Sequence, residues 1–164
     1  MARESAQIMY RRYINYDICI GCYTCEEVCA FIHGERPYIK LYDVDSGLRR
    51  PISCFHCVRA PCVYACPTNA MRKDRDGVVK VDVSRCIGCG ACVAACPFGI
   101  PEIVPPGYAV KCDLCGGLRR MGLEPACVAV CPTKAIVWGS PEYVTTTLRT
   151  RALRKLIITK TISR

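Results

Sequence analysis

The sequence predicts an α+β chain of short strands and short helices with much irregular structure between them. Three observations predict it. The cysteines fall into four compact runs with none left over. The last three runs each end in Cys-Pro, and a proline stops a helix after about one turn. Short strand-like segments flank the runs rather than filling long periodic stretches.

In chain order, Arg12 to Tyr16 reads as a strand that leads into the first run, Cys19-x2-Cys22-x2-Cys25-x3-Cys29. The second run is Cys54-x2-Cys57-x4-Cys62-x3-Cys66-Pro67. Ala70 to Lys73 and Val78 to Val81 flank Asp74-Arg75-Asp76-Gly77, and Asp-Gly between two such segments is a hairpin signal. The third run is Cys86-x2-Cys89-x2-Cys92-x3-Cys96-Pro97, and the fourth is Cys112-x2-Cys115-x11-Cys127-x3-Cys131-Pro132. A short helix is expected between the last two cysteines of each run. Ala135 to Trp138 reads as a closing strand. In the segment from Pro141 to Arg164, Val144, Leu148 and Ala152 recur at helical spacing, followed by Leu153, Leu156 and Ile157. That segment holds six basic residues (Arg149, Arg151, Arg154, Lys155, Lys160 and Arg164) against the single acid Glu142.

Sixteen cysteines in 164 residues mark either a disulfide scaffold or a metal protein. Disulfides need an oxidising compartment. Met1 to Asp17 has no apolar core or small-residue cleavage site, and the Arg11-Arg12 pair is followed by Tyr13 to Asp17 rather than a hydrophobic run, so export is not expected. The metal reading follows from the spacing. Three close cysteines suit a loop wrapped around one iron–sulfur cubane, with Gly21, Gly88 and Gly90 letting the backbone approach. A short helix then carries the fourth sulfur toward the second cluster of a pair. Four complete runs imply four [4Fe–4S] clusters on sixteen thiolates. Zinc also takes four thiolates, but its ribbons pair two Cys-x2-Cys knuckles a dozen or more residues apart, and only the fourth run approaches that pattern.

The formal net charge of +9 points at first to nucleic acid or an anionic surface. Sixteen thiolates around four cores of roughly +2 each contribute about −8. The loaded chain is therefore near neutral, and a nucleic-acid partner is not expected. The longest uncharged run, Cys86 to Pro101, falls short of the roughly 18 residues of a membrane span and is broken by Gly88, Gly90, Pro97 and Gly99. The expectation is a soluble, cytoplasmic protein that folds as its metal binds.

Several segments carry a more specific signal: Cys54-x-His56-Cys57-x3-Pro61-Cys62, Cys66-Pro67-Thr68, Cys96-Pro97-Phe98-Gly99-Ile100-Pro101, Lys111-Cys112-Asp113-Leu114-Cys115, and Pro125-Ala126-Cys127 through Cys131-Pro132-Thr133. From about residue 10 to residue 140 the sequence resembles the four-cluster iron–sulfur subunits of the dimethyl sulfoxide reductase family, which serve formate dehydrogenase, polysulfide reductase and nitrite reductase systems. The resemblance implies that Cys19, Cys22, Cys25 and Cys131 hold one cluster, and that Cys112, Cys115, Cys127 and Cys29 hold its neighbour. It also implies that Cys54, Cys57, Cys62 and Cys96 hold a third cluster, and Cys86, Cys89, Cys92 and Cys66 a fourth. The implied fold is one ferredoxin-like two-cluster module, residues 1–48 and 107–140, with a second module, residues 49–106, inserted in it, and a basic tail at 141–164. Longer insertions and a C-terminal membrane anchor, which many relatives carry, are not expected in this chain. It is similar to the compact members that serve formate, carbon monoxide, hydrogenase or tungsten aldehyde oxidoreductase partners.

What the resemblance implies about function is electron transfer without catalysis. The partner expected is a catalytic oxidoreductase subunit with a molybdenum or tungsten pterin, with a further redox protein or a membrane subunit at the other end of the path. A free polyferredoxin shuttling between enzymes is the alternative. The sequence shows no nucleotide-binding glycine motif and no open metal position. Among smaller features, His56 lies between two ligands, where packing and backbone support is the favoured reading over tuning of a cluster. Arg85 and Lys111 precede ligand loops and either offset cluster charge or stand in solvent. The tail either straps the chain's own surface or docks an acidic partner, with docking favoured and a membrane-surface helix as a third option.

Overall fold

A computed structural model describes residues 10–45 and 47–162, with side chains described as far as residue 158. Lys160 and Arg164 of the predicted basic tail therefore lie outside the described side chains.

The strands form four separate two-stranded antiparallel ribbons. β1 (Arg11–Ile14) pairs with β8 (Ile136–Gly139), with Arg12 opposite Trp138 and Ile14 opposite Ile136, so the start and end of the cysteine-bearing region meet in one ribbon. β2 (Ile39–Asp45) and β3 (Leu48–Ser53) make a long hairpin after the first run. β4 (Met71–Lys73) pairs with β5 (Val79–Val81), and β6 (Glu102–Val104) with β7 (Tyr108–Val110). The β4–β5 turn forms as its Asp-Gly sequence predicts. Asp74 Oδ1 accepts the N–H groups of Asp76 at 3.1 Å and Val78 at 2.9 Å, while Gly77 takes φ 77°.

The helices are short where the cysteines are. α2 (Pro61–Tyr64), α3 (Ala91–Ala95) and α5 (Ala126–Ala129) each fall where the runs predict one turn of helix. α2 starts on a proline, whose fixed φ suits the first helical position. Two helices depart from expectation. α1 (Thr24–Ile32) runs past Cys29, because no proline follows that cysteine and Glu26 and Glu27 favour its N-terminal end. α4 (Gly116–Arg120) occupies the eleven-residue gap of the fourth run, and Arg119 on it bonds Leu114 O at 3.0 Å and Asp76 at 3.2 Å. The hairpins β2–β3 and β6–β7 were not expected either. Both are built where no cysteine falls.

Among the described residues the apolar side chains form three clusters rather than one large core. One apolar cluster joins Cys25, Cys29, Ile39, Cys127, Val128, Cys131 and Ile136. A second joins Cys62, Met71, Val79, Cys92 and Ala109, and a third, smaller one joins Cys54, Val78, Cys112 and Leu114. Every cluster contains cysteine, so the thiols are themselves core. The third unites a cysteine of the second run with one of the fourth.

The last helix, α6 (Pro141–Ile162), starts on Ser140, whose hydroxyl accepts the Tyr143 N–H at 3.2 Å. Its first turns pack on β8 and β1 through buried Val144. From Leu153 to Ile158 its side chains are exposed, Leu153, Leu156, Ile157 and Ile158 among them. Among the described residues no helix is long and apolar enough to cross a membrane.

Candidate functional site

The thiols gather from different runs. Cys19, Cys22 and Cys25 line one cavity with Cys131. Cys86, Cys89 and Cys92 line a second with Cys66. Cys112, Cys115 and Cys127 line a third with Cys29. The three voids are small and alike in size, as equal occupants would require. In each, three thiols of one run meet the last thiol of another. The other four are related more loosely: Cys62 feels the charges of Cys54 and Cys96, and Cys57 packs against the apolar cluster that contains Cys62.

The loops that carry these thiols are shaped by left-handed backbone. Gly88 has φ 68°, and a Cβ there would collide with the Gly107 carbonyl oxygen; one on Gly21, φ 65°, would stand 2.9 Å from Arg49 O. Only glycine fits either place. Non-glycine residues also take this conformation, among them Tyr23, His56, Leu114 and Cys115. That many strained residues beside thiols mark loops held in shape by what they bind.

A cluster thiolate needs hydrogen-bond donors, and the chain supplies them. Backbone N–H groups reach sulfur at Cys29 (from Tyr38, 3.2 Å), Cys86 (Ala109, 3.2 Å), Cys54 (His56, 3.4 Å), Cys66 (Met71, 3.4 Å) and Cys112 (Leu114, 3.4 Å). The Thr24 hydroxyl lies 3.3 Å from Cys22, and Thr68 and Thr133 lie 3.8 Å from Cys66 and Cys131. Without metal, burial pushes Cys25 and Cys115 up to about 12, and Cys62 and Cys127 up to about 11. Cys22 is lowered instead, chiefly by the Thr24 hydroxyl. The buried thiols would stay protonated alone and ionise only against a bound cation. Sulfur donors ringing a void, backbone N–H groups aimed at them and glycine at the tightest points of two loops together fit a cubane cluster.

Residues 46–141 match the family described as a 4Fe-4S dicluster domain, and residues 16–32 match a 4Fe-4S binding domain. The chain belongs to the 4Fe–4S dicluster family. The thiosulfate reductase electron transfer subunit PhsB of Salmonella typhi is 42% identical over 74% of this chain and 70% of its own length. The aliphatic sulfonate oxidoreductase polyferredoxin-like subunit of Pyrococcus furiosus is 42% identical over 72% of this chain and 69% of its own. The probable anaerobic dimethyl sulfoxide reductase chain YnfG of Escherichia coli is 35% identical over 81% of this chain and 74% of its own. As in the sequence reading, this dicluster protein carries [4Fe–4S] clusters, with cysteine for four.

The smaller predicted features separate once placed. Arg85 is exposed, so its charge is a solvated one. Lys111 is 6% exposed, and its ammonium donates to the carbonyls of Val79 and of Cys112, the latter at 2.9 Å. His56 is 2% exposed; its Nδ1 accepts the Val79 N–H at 3.0 Å, which serves the packing role expected of it. Burial first, and Lys111 and Arg12 next, hold its pKa well below the ordinary histidine value. Sequence reasoning missed Arg12. It sits on β1 with Nη1 3.1 Å from Ser53 Oγ and 3.8 Å from Cys112 Sγ, and with Nη2 3.0 Å from Cys54 O. No sequence signal could have found it, since it lies 100 positions from Cys112.

Proposed function

We propose that the chain is the non-catalytic electron-transfer subunit of an oxidoreductase complex, with its four [4Fe–4S] clusters forming a conducting row. The carrying observation is the exchange of last cysteines between runs around cavities of like size. On this reading Cys19, Cys22, Cys25 and Cys131 hold one cluster, and Cys29, Cys112, Cys115 and Cys127 its neighbour. Cys54, Cys57, Cys62 and Cys96 hold the third, and Cys66, Cys86, Cys89 and Cys92 the fourth. The first two belong to a module of residues 1–48 and 107–140, the last two to a module of residues 49–106 inserted in it.

The clusters supply one-electron exchange; the protein decides where electrons enter and leave. Cys22 and Cys89 are exposed, each two residues from an isoleucine, Ile20 or Ile87, about two-thirds exposed (66% and 65%). These are apolar rims beside thiols at opposite ends of the row, suited to close approach of a redox partner. The thiols around the third cavity, Cys29, Cys112, Cys115 and Cys127, are all buried and serve passage. The named relatives support a catalytic oxidoreductase partner, whose cofactor we infer to be a molybdenum or tungsten pterin, and the exposed basic side chains of α6 support docking on an acidic face of it.

The test is anaerobic purification from the source cell. The protein should carry about sixteen iron and sixteen sulfide per chain and bring a large pterin-containing subunit with it. Eight iron with two zinc, or a chain that elutes alone at every salt concentration, would sink this reading.

A further inference from the structure

Two cationic side chains lie where the second and fourth runs meet, and neither has a carboxylate partner among the described residues. Lys111 is buried and spends its protons on two carbonyl oxygens. Arg12 lines the cavity of Cys29, Cys112, Cys115 and Cys127, its Nε sealed from water and without an acceptor. The ion pairs among the described residues join Lys40 to Glu102, Arg72 to Asp82, Lys80 to Asp74 and Arg119 to Asp76, and leave both cations out. A charge taken out of water must be matched by an opposite one nearby. The opposite charges at hand are thiolates: Arg12 faces those of Cys112, Cys127 and Cys54, and Lys111 acts on Cys54 and Cys62.

His56 completes the group. Because Nδ1 accepts a backbone N–H, the ring proton of the neutral imidazole is on Nε2, and that atom is buried with no hydrogen-bond partner among the described residues. A buried donor left without an acceptor is costly, so its persistence beside Cys54 points to an acceptor that the described residues do not supply.

Resting on the ligand sets above, we propose that Arg12, Lys111 and His56 form a cationic seam that holds up the reduction potentials of the two inner clusters, those of Cys54 and Cys112. Reduction adds negative charge to a cluster, and burial away from water disfavours it. The two inner clusters would therefore lie below the two outer ones and interrupt the row. Full positive charges and an N–H donor at the seam favour the reduced form and offset that burial. Because Arg12 reaches toward both Cys54 and Cys112, a single residue levels the step between modules.

The experiment is a redox titration of the intact, iron-loaded protein followed by paramagnetic resonance. In Arg12→Gln, two of four midpoints should fall, each by about tenfold in reduction equilibrium, which is about 59 mV for one electron. The other two should hold, and Arg12→Lys should restore most of the loss. The two that move must be the signals altered by Cys54→Ser and by Cys112→Ser. Four unmoved midpoints in Arg12→Gln with full iron would overturn the seam. If Arg12→Gln loses iron, His56→Phe carries the test: one inner midpoint should fall, and an unchanged set with full iron would overturn the proposal. Serine variants that leave all four signals intact would overturn the ligand sets beneath it, a failure visible before any arginine variant is made.

Discussion

Thr24 stands 3.3 Å from the exposed thiol of Cys22 and illustrates how one residue serves a cluster from outside the ligand set. Its hydroxyl stabilises thiolate; a hydrogen bond to a charged acceptor is worth roughly 1.5–3 kcal/mol when buried, and less at an exposed sulfur such as this one. Thr24→Val should lower the midpoint of the Cys22 cluster by no more than about tenfold in equilibrium, leaving iron content whole; a redox titration measures it. Gly88 makes a harsher case. Its φ of 68° and the carbonyl of Gly107 leave no space for a methyl group. Gly88→Ala should cost roughly 1–3 kcal/mol and loosen iron at that site, seen as faster bleaching by chelator. Gly117→Ala, in α4 with open space around its Cα, should leave bleaching unchanged.

At the scale of elements, what the sequence made legible was what the cysteines dictate. The one-turn helices follow from Cys-Pro, and the β4–β5 hairpin follows from Asp-Gly. The β2–β3 hairpin left a weaker trace: Ile39, Leu41 and their polar neighbours alternate, but Pro51 lies within the second strand and obscures it. The donors to sulfur were legible only in part. Thr68 and Thr133 follow Cys-Pro in plain view, whereas Arg12 and the Tyr38 N–H reach their thiols through tertiary folding. The tail was expected to be helical and α6 is a helix, but only its first turns are packed. Deleting residues 149–164 should therefore leave iron content and the visible spectrum intact. The same deletion should weaken the complex with the catalytic subunit, as should charge reversal at Arg149, Arg151, Arg154 and Lys155. Added salt should mimic these losses, since exposed charges are screened over about 8–10 Å. Loss of iron on deletion would make α6 a strap.

For the whole molecule, the crossing of the runs is the property to test. Cys131→Ser and Cys112→Ser should disturb different resonance signals, because the two thiols line different cavities. A shared signal would mean that each run closes on itself. The absence of one large apolar core has its own result: with thiols inside all three apolar clusters and two cations lacking carboxylates, the metal-free chain has little to fold around. Chelation of iron should abolish the cooperative thermal transition, which circular dichroism would register.

The ribbon of β1 and β8 sets an order in time as well as in space. The first strand emerges from the ribosome early, but its partner, Ile136 to Gly139, is made more than a hundred residues later. On the proposed ligand sets, Cys19, Cys22 and Cys25 wait until then for Cys131, while the thiols of the second and third runs are already complete. At 5–20 residues per second, the stretch from Cys96 to Cys131 takes about 2–7 s to synthesise. The nascent chain thus offers cluster-loading factors its middle first, and its first-made thiols stay open to oxygen the longest.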